Sequence, residues 1–499
     1  MPHPSVVVVG AGPVGITVAT LLAQYGVTCT VVDRHTRPYP MPRAVHLDGA
    51  AVRVLQQLGL ADEFATISRP ANGLRLLDAR LRPFVVVDRD TSPGVHGHPE
   101  ANLFDQPALE ALLRSNLSRH PEVTLHGGTV VTTVEQDGDA AVVTVQDTAT
   151  GAVEQWPARA VLGCDGAEST VRSAIGAHLD DLGFAERWFV VDVRCPRTID
   201  NWGGVDQVCD PRRAATFMHL AADRYRWEFR MRPDETPDDL GRPDRLAALV
   251  APWTGGLSPA GWTVLRSGAY TFRAAVTDQW RRGPVMLVGD AAHLTPPFIG
   301  QGLGLGLGDA HNLAWKLAAV LRGDAGDDLL TSYGDERGAH ARDVVRTGIR
   351  VGRAMTGGQG VVAALRRPIA ATLLRLPGVR ARAAAALTTR YPSGPWVDDR
   401  RRRGDLSGSA CPQPFVRRGG RTVRLDDVLG PGFALITTGP IGPALRARSR
   451  AVGAREITVA DGSEGTIDDG RTLRAWLRTA RTTAVLLRPD RIVMATDRG

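Results

Sequence analysis

Lysine is almost missing from this chain: among 499 residues Lys316 is the only one. Sixty Lys and Arg residues against 53 Asp and Glu give a net charge of +7. That excess is arginine scattered among Ala, Val, Gly and Pro. A compositional bias accounts for it, and no nucleic-acid-binding face is expected. The densest run, Arg400 to Arg403, follows Asp398-Asp399 and reads as a solvated linker. Cysteine is scarce too. Cys29, Cys164, Cys195, Cys209 and Cys411 stand far apart with no C-x-x-C, which argues against a zinc site or a disulfide framework and leaves no metal to expect. An odd number of thiols suits a reducing cytoplasm. No apolar run approaches the roughly 20 residues of a membrane span. The first apolar run has no charged segment before it and is broken by Gly and Pro, so a signal peptide is not expected. Internal repeats and low-complexity tracts are absent.

What remains is a chain long enough for two to four domains, punctuated by glycine turns after apolar strands. Ser5 to Val9 is β-branched and does not alternate, as suits a strand buried on both faces. Gly10, Gly12 and Gly15 follow in a G-x-G-x-x-G pattern, then a helix from Ile16 to Tyr25, then a second buried strand from Thr28 to Val32 that ends in Asp33. Together these are a dinucleotide fingerprint: Gly10 for the tight turn, Gly12 for close approach of a pyrophosphate, Gly15 for helix–strand packing, and Asp33 for a ribose. A second strand that runs into a glycine turn, Arg159 to Leu162, ends at Cys164-Asp165-Gly166, with Ser169 and Arg172 opening a helix. A third, Val285 to Val288, ends at Gly289-Asp290 and runs through Pro296-Pro297 to Gly300, Gln301 and Gly302, with a helix from Asp309 onward. That last stretch brings backbone N–H groups and a helix start against a ligand, with the Asp290 carboxylate placed for a ribitol or ribose hydroxyl.

Between these lie smaller signals. Arg43 precedes a helix from Gly49 to Leu58, either contacting an anionic cofactor or making a surface pair. His46 and Asp48 are titratable groups on the same approach, and Asp48 is equally placed to cap the helix. Gln106 and Arg114 lie two turns apart on a helix begun by Pro107. Val123 to Leu125 and Val130 to Val134 read as a strand pair, with Ala141 to Val145 as a hairpin partner. From about Phe184 to Trp280 the pattern changes to strands separated by Asp- and Pro-rich loops, which suggests an antiparallel sheet inserted into the first domain. Its aromatics fit either an aromatic substrate or a sheet core. The last segment, from about Asp405, alternates strands and a helix, and without C-x-x-C it has no dithiol chemistry.

The three ordered motifs, together with "PRAVHLDGAAVRVLQQLGL", "NLFDQPALEALLR", "RWEFRMRPDE" and "GDAAHLTPPFIGQGLGLGLGDAHNLAWKL", resemble the single-component FAD-dependent aromatic hydroxylases, the class A flavoprotein monooxygenases. The likeness extends over essentially the whole chain and is strongest to 3-(3-hydroxyphenyl)propionate hydroxylases and aromatic polyketide hydroxylases. It implies an α/β fold: a Rossmann-like FAD-binding domain with its following helices (1–183 and 281–395), an inserted antiparallel-sheet substrate domain (184–280), and a linker with a redox-inactive thioredoxin-like domain (396–499). It implies FAD and NAD(P)H as cofactors, and a small aromatic substrate and O2 as partners, in a monomer or homodimer. The chemistry implied is hydroxylation of a phenolic or polyketide ring through a flavin C4a-hydroperoxide. Baeyer–Villiger insertion and antibiotic modification use the same scaffold, and a flavin-binding module without turnover is the reading from another class. By this resemblance Gly10, Gly12, Gly15, Asp33 and Arg34 hold the ADP half, and Arg43, Gln106 and Arg114 the pyrophosphate and ribityl region. Val131 meets the adenine. Asp165 serves FAD and NAD(P)H handling, and Gly289-Asp290 the ribityl chain. Gly302, Leu303 and Gly304 give N–H groups to the flavin ring, and Pro297 faces its reactive edge. Asp48 is the first candidate for the base that takes the phenol proton, followed by His46 and His219. The family usually carries Asn where Gly304 stands and Glu where Asp33 stands. The glycine series from 302 to 308 is expected to loosen the helix start.

Overall fold

In a computed structural model of the chain, residues 5–38, 44–255, 261–356, 390–399, 404–460 and 466–497 are described. Arg43 and the helix expected between 357 and about 389 lie outside these residues.

Val6–Val9, Cys29–Asp33, Ala160–Gly163, Val285–Leu287 and Val123–Gly127 are the parallel members of a six-stranded sheet. Arg281–Arg282 adds an antiparallel edge. The strand Val6–Val9 is central, and all four of its residues are buried, as the absence of alternation predicts. The Pro13–Gln24 helix packs on one face of it. Val123–Gly127 differs from its expected pairing. It joins this sheet beside Cys29–Asp33, while Thr129–Asp137, Ala140–Asp147 and Val153–Ala158 form a separate three-stranded antiparallel sheet. The glycines Gly127 and Gly128, which pack closely on Thr36, break the run between the two.

The expected second sheet has eight strands, and it gathers more chain than 184–280. Leu179–Arg194, Arg224–Arg230, Ala215–His219, Val205–Val208 and Thr263–Thr277 form its centre, Gly73–Leu77 and Pro83–Asp88 complete one edge, and His293–Leu294 the other. The Gly73–Leu77 and Pro83–Asp88 hairpin joins through pairings that span well over 100 residues, such as Val205 with Leu74, and a local pattern carries no record of such pairings. One face of this sheet carries Phe189, Phe217, Trp227 and Phe229, packed with Leu240, Leu246 and Val250 of two short helices. The aromatics there build a core. The other face carries the alternate residues, several of which line a cavity shared with the Gly10 turn.

The Gly302–Arg322 helix starts seven residues earlier than the apolar pattern predicts. Two of its glycines are packing surfaces: a Cβ on Gly306 would lie 2.7 Å from Val14, and one on Gly308 3.0 Å from Arg337. The C-terminal segment holds a five-stranded mixed sheet built on Ala434–Thr437, flanked by the Pro443–Ala451 and Thr472–Thr479 helices. It docks through buried charge. Arg53 donates to both Asp426 oxygens (2.6 and 2.7 Å), and Arg488 donates to Glu336 (2.7 and 2.9 Å). Lys316, the sole lysine, is fully buried against the same Glu336 at 2.8 Å. Among the described residues no helix is long and apolar enough to cross a membrane, and no cluster of His, Cys, Asp and Glu is arranged to hold a metal ion.

Candidate active site

Three adjacent parallel strands end in the three glycine turns, which brings Gly10, Cys164-Asp165 and Asp290 to one edge of a cavity of about 1650 Å3, while Gly289 is buried and is not among the lining residues. The carboxyl ends of such strands are where open α/β sheets bind ligands. Gly10 has φ +106°, and a Cβ there would sit 2.4 Å from the Cys164 carbonyl oxygen, so the first and second turns touch and only glycine fits. Gly15 closes on the Gly10 carbonyl in the same way: a Cβ at Gly15 would lie 1.9 Å from that oxygen. Gly12 differs: nothing lies within 4 Å of where its Cβ would be, so the space beside it belongs to the cavity.

Two long helices begin at this cavity, Pro13–Gln24 after Gly12 and Gly302–Arg322 after Gln301, and neither has a side-chain cap. Their first N–H groups and the positive ends of their dipoles therefore face the cavity. Asp33 lines one end of the cavity. Its oxygens accept from the N–H groups of Ala11 and His35, both at 2.7 Å, which braces the Gly10 turn and leaves lone pairs for a hydroxyl. Arg34 and Val131 line the same end. Arg114 donates to the Ala11 carbonyl at 3.3 Å, and its Nε is buried with no partner among the described residues. Gln106 accepts from the Ala44 N–H at 2.7 Å and donates to Glu110 at 2.8 Å.

Asp165 lines the cavity but also ties its own turn, accepting from Ser169 Oγ at 2.5 Å and the Val171 N–H at 3.1 Å. Burial pushes its carboxyl up, against those hydrogen bonds. Arg172 points back toward its turn, donating to the carbonyls of Ala167 and Ala291, and so joins the second turn to the third. Asp290, Pro297, Gly302, Leu303 and Gly304 all line the far half of the cavity. His46 meets the Gly300 carbonyl through Nδ1 at 3.0 Å, which makes that nitrogen the donor. Burial, and secondarily Arg89, holds the imidazole below its ordinary range. Asp48 caps the Gly49–Gln57 helix, accepting from the Ala51 N–H at 2.8 Å, and lines the cavity as well. His219 is not among the lining residues. It stacks on Tyr225 and meets the Ala222 carbonyl at 2.8 Å.

Sequence reasoning missed the opposite wall. Strand register sets Val205, Met218, Arg226, Asp192 and Arg266 in one cross-strand row, and Gln207, Thr216, Glu228 and Val190 in the next. Asp192 accepts from Arg226 at 2.6 and 2.8 Å and from Arg266 at 2.7 Å. Arg266 reaches on to Asp105 at 2.9 Å. A signal was present in Arg224–Arg230: Arg226 and Glu228 alternate with Trp227 and Phe229, marking a strand buried on both faces with one face polar. Asp309 was missed too. It is fully buried in the Gly302–Arg322 helix and accepts from the Gly289 N–H (3.0 Å), His293 Nε2 (2.7 Å) and Arg337 Nε (2.6 Å).

Comparison with known proteins agrees with this geometry. Residues 3–348 match the family model described as FAD binding domain, and residues 408–499 one described as HcaD C-terminal domain. The chain is 31% identical to a protein of Rhodococcus jostii named "Probable NADH-specific resorcinol 4-hydroxylase", over 99% of this chain and 92% of that one. It is 33% identical to a 3-(3-hydroxy-phenyl)propionate/3-hydroxycinnamic acid hydroxylase of Burkholderia vietnamiensis, over 98% and 93%. Among solved structures, aklavinone-11 hydroxylase in complex with FAD and aklavinone superposes with a TM-score of 0.80 at 26% identity, covering 99% of this chain and 96% of that one. The chain belongs to the FAD-binding family of flavoprotein aromatic hydroxylases. It is an FAD-dependent aromatic monooxygenase.

Proposed function

We propose that FAD lies along the cavity with its adenosine at Asp33, Arg34 and Val131. Its pyrophosphate then meets the uncapped helix start at Gly12, with Arg43 and Arg114 as counter-charges. Gln106, Asp165, Gly289 and Asp290 serve the ribityl chain, and Gly302 to Gly304 the pyrimidine edge of the ring. The observation that carries this reading is the pair of uncapped helix N-termini at one cavity, since each favours negative charge. Bound FAD supplies the redox chemistry, accepting hydride from NAD(P)H and activating O2 for transfer to a phenolic or polyketide-type ring.

The chain's own residues hold and shield that chemistry. The backbone N–H groups of Gly302, Leu303 and Gly304 stabilise charge at the ring's pyrimidine edge. Pro297 and Phe298 close the cavity beside it, and the sheet excludes water from the other side. His46, neutral and fixed by Gly300, positions the approach. Asp48 remains the first candidate to accept a phenol proton, since the cap uses only its Oδ1. The division into an FAD domain, an inserted substrate sheet and a thioredoxin-like tail without dithiol is part of the same proposal, as are a cytoplasmic setting, which the five free cysteines support, and a monomer or homodimer. The test is NAD(P)H oxidation by FAD-loaded protein across a panel of phenols and polyketide aromatics, with products followed by mass spectrometry. An aromatic-stimulated rate with an added oxygen atom is expected. A rate indifferent to every aromatic sinks the reading.

A further inference from the structure

We propose that the wall formed by Gln207, Thr216 and Glu228 receives the hydroxyl groups of an uncharged, polyhydroxylated aromatic substrate and selects it over phenols that carry a carboxylate. The inference rests on the hydroxylase reading above and names the substrate class for the same site.

The three residues stand side by side on adjacent strands, Gln207 opposite Thr216 and Thr216 opposite Glu228, and all three are buried and line the cavity. Gln207 Nε2 donates to the Phe298 carbonyl at 2.9 Å. That partner fixes the amide orientation, because a carbonyl cannot take the other atom. Gln207 Oε1 is therefore an acceptor, and it is buried with no hydrogen-bond partner among the described residues. An acceptor left so is costly in a native interior, and a donor removes that cost. Phe298 directly follows Pro297, so this acceptor is tied to the segment that borders the proposed flavin ring.

Glu228 is the second acceptor. It approaches Arg226 only at 3.7 Å, too far for a hydrogen bond. Arg226 itself is committed to both oxygens of Asp192. Thr216 between them can donate or accept. The wall is thus rich in acceptors, and its cation is already neutralised. Hydroxyl donors satisfy it; a carboxylate would set its charge against Glu228 and the Gln207 oxygen with no cation of this wall to meet it. Arg89, which donates to the Glu100 carbonyl at 2.9 Å, and Arg273 also line the cavity, and either would reverse this preference if it captured a carboxylate.

The experiment titrates the flavin absorbance of FAD-loaded enzyme with resorcinol, phenol and 3-(3-hydroxyphenyl)propionate, and follows NAD(P)H oxidation and product for each. Resorcinol is expected to bind most tightly and couple best. Gln207→Leu and Glu228→Gln should each raise its Kd and KM by about 10-fold or more, with bound flavin per protein unchanged, and Glu228→Asp should recover part of the loss. Thr216→Val serves if a Glu228 variant does not fold, with a smaller rise expected. Tighter binding of the propionate, or Gln207→Leu and Thr216→Val that take resorcinol as the wild type does, overturns the proposal and leaves the hydroxylase reading standing. If no aromatic in the wider phenol and polyketide panel perturbs the wild-type flavin or stimulates NAD(P)H oxidation, both fall together.

Discussion

At the scale of single residues, two glycines of one motif do different work. Gly10 is held at φ +106° with the Cys164 carbonyl where a side chain would begin, while Gly12 faces open space. Gly10→Ala is expected to cost about 2–5 kcal/mol, from left-handed strain of about 1–2 and overpacking of about 1–3. Gly12→Ala should leave thermal stability of the FAD-free protein within about 0.5 kcal/mol and yet weaken FAD binding, because its Cβ enters the space the pyrophosphate needs. Melting temperature of FAD-free protein and FAD Kd, measured for both variants, separate the two. Equal effects on both quantities would mean that the space beside Gly12 is not cofactor space.

At the scale of elements, Asp309 joins the Gly302–Arg322 helix to the Gly289 turn and to Arg337 of the Asp328–Thr356 helix. Burial alone would raise its carboxyl, but Arg337 and His293 outweigh burial and hold it below the usual range. Asp309→Asn keeps the shape and removes the charge, leaving Arg337 buried beside a neutral amide. A loss of about 3–5 kcal/mol is expected, as for other buried pairs broken on one side. The Gly289-Asp290 turn should loosen with it. The readouts are denaturant midpoint and FAD retained through gel filtration. A variant that matches wild type in both would show that the turn is held by its strand alone.

For the whole molecule, the tail is fastened by buried carboxylates. Burial would raise Asp426, but Arg53 and Arg491 bring it to about 2. Glu336 is likewise brought to about 2 against burial, by Arg488 and Lys316. Both pKa values are depressed in the fold from unfolded values near 4, so their contribution is full above about pH 4 and is lost as pH falls toward 2. Asp426→Asn should therefore destabilise the protein by about 3–5 kcal/mol at pH 7 and flatten the decline of stability on acidification. The check is urea unfolding of both proteins from pH 7 down to the lowest pH at which wild type remains folded. Parallel curves would assign the acid sensitivity to other carboxylates. Screening by salt should matter little here, because the pairs are buried.

Much of this was legible along the chain. Gly10, Gly12, Gly15, Asp33 and the Gly289-Asp290 turn announce themselves because a glycine turn, its strand and its helix are neighbours in sequence, and steric rules act between neighbours. The cap at Asp48 and the reach of Arg172 are local for the same reason. The wall of Gln207, Thr216 and Glu228 was not legible, nor the two strands that Gly73–Leu77 and Pro83–Asp88 lend to the sheet. Which face of a strand meets a cavity depends on register with distant strands, and a shift of one residue reverses it. The buried partners of Lys316, Arg488 and Asp309 are equally remote in the chain. The sequence by itself determined the nucleotide-binding frame, because that frame is written in short-range geometry. The tertiary structure alone decided what the cavity's far wall offers a substrate, because those contacts exist only after distant strands have paired.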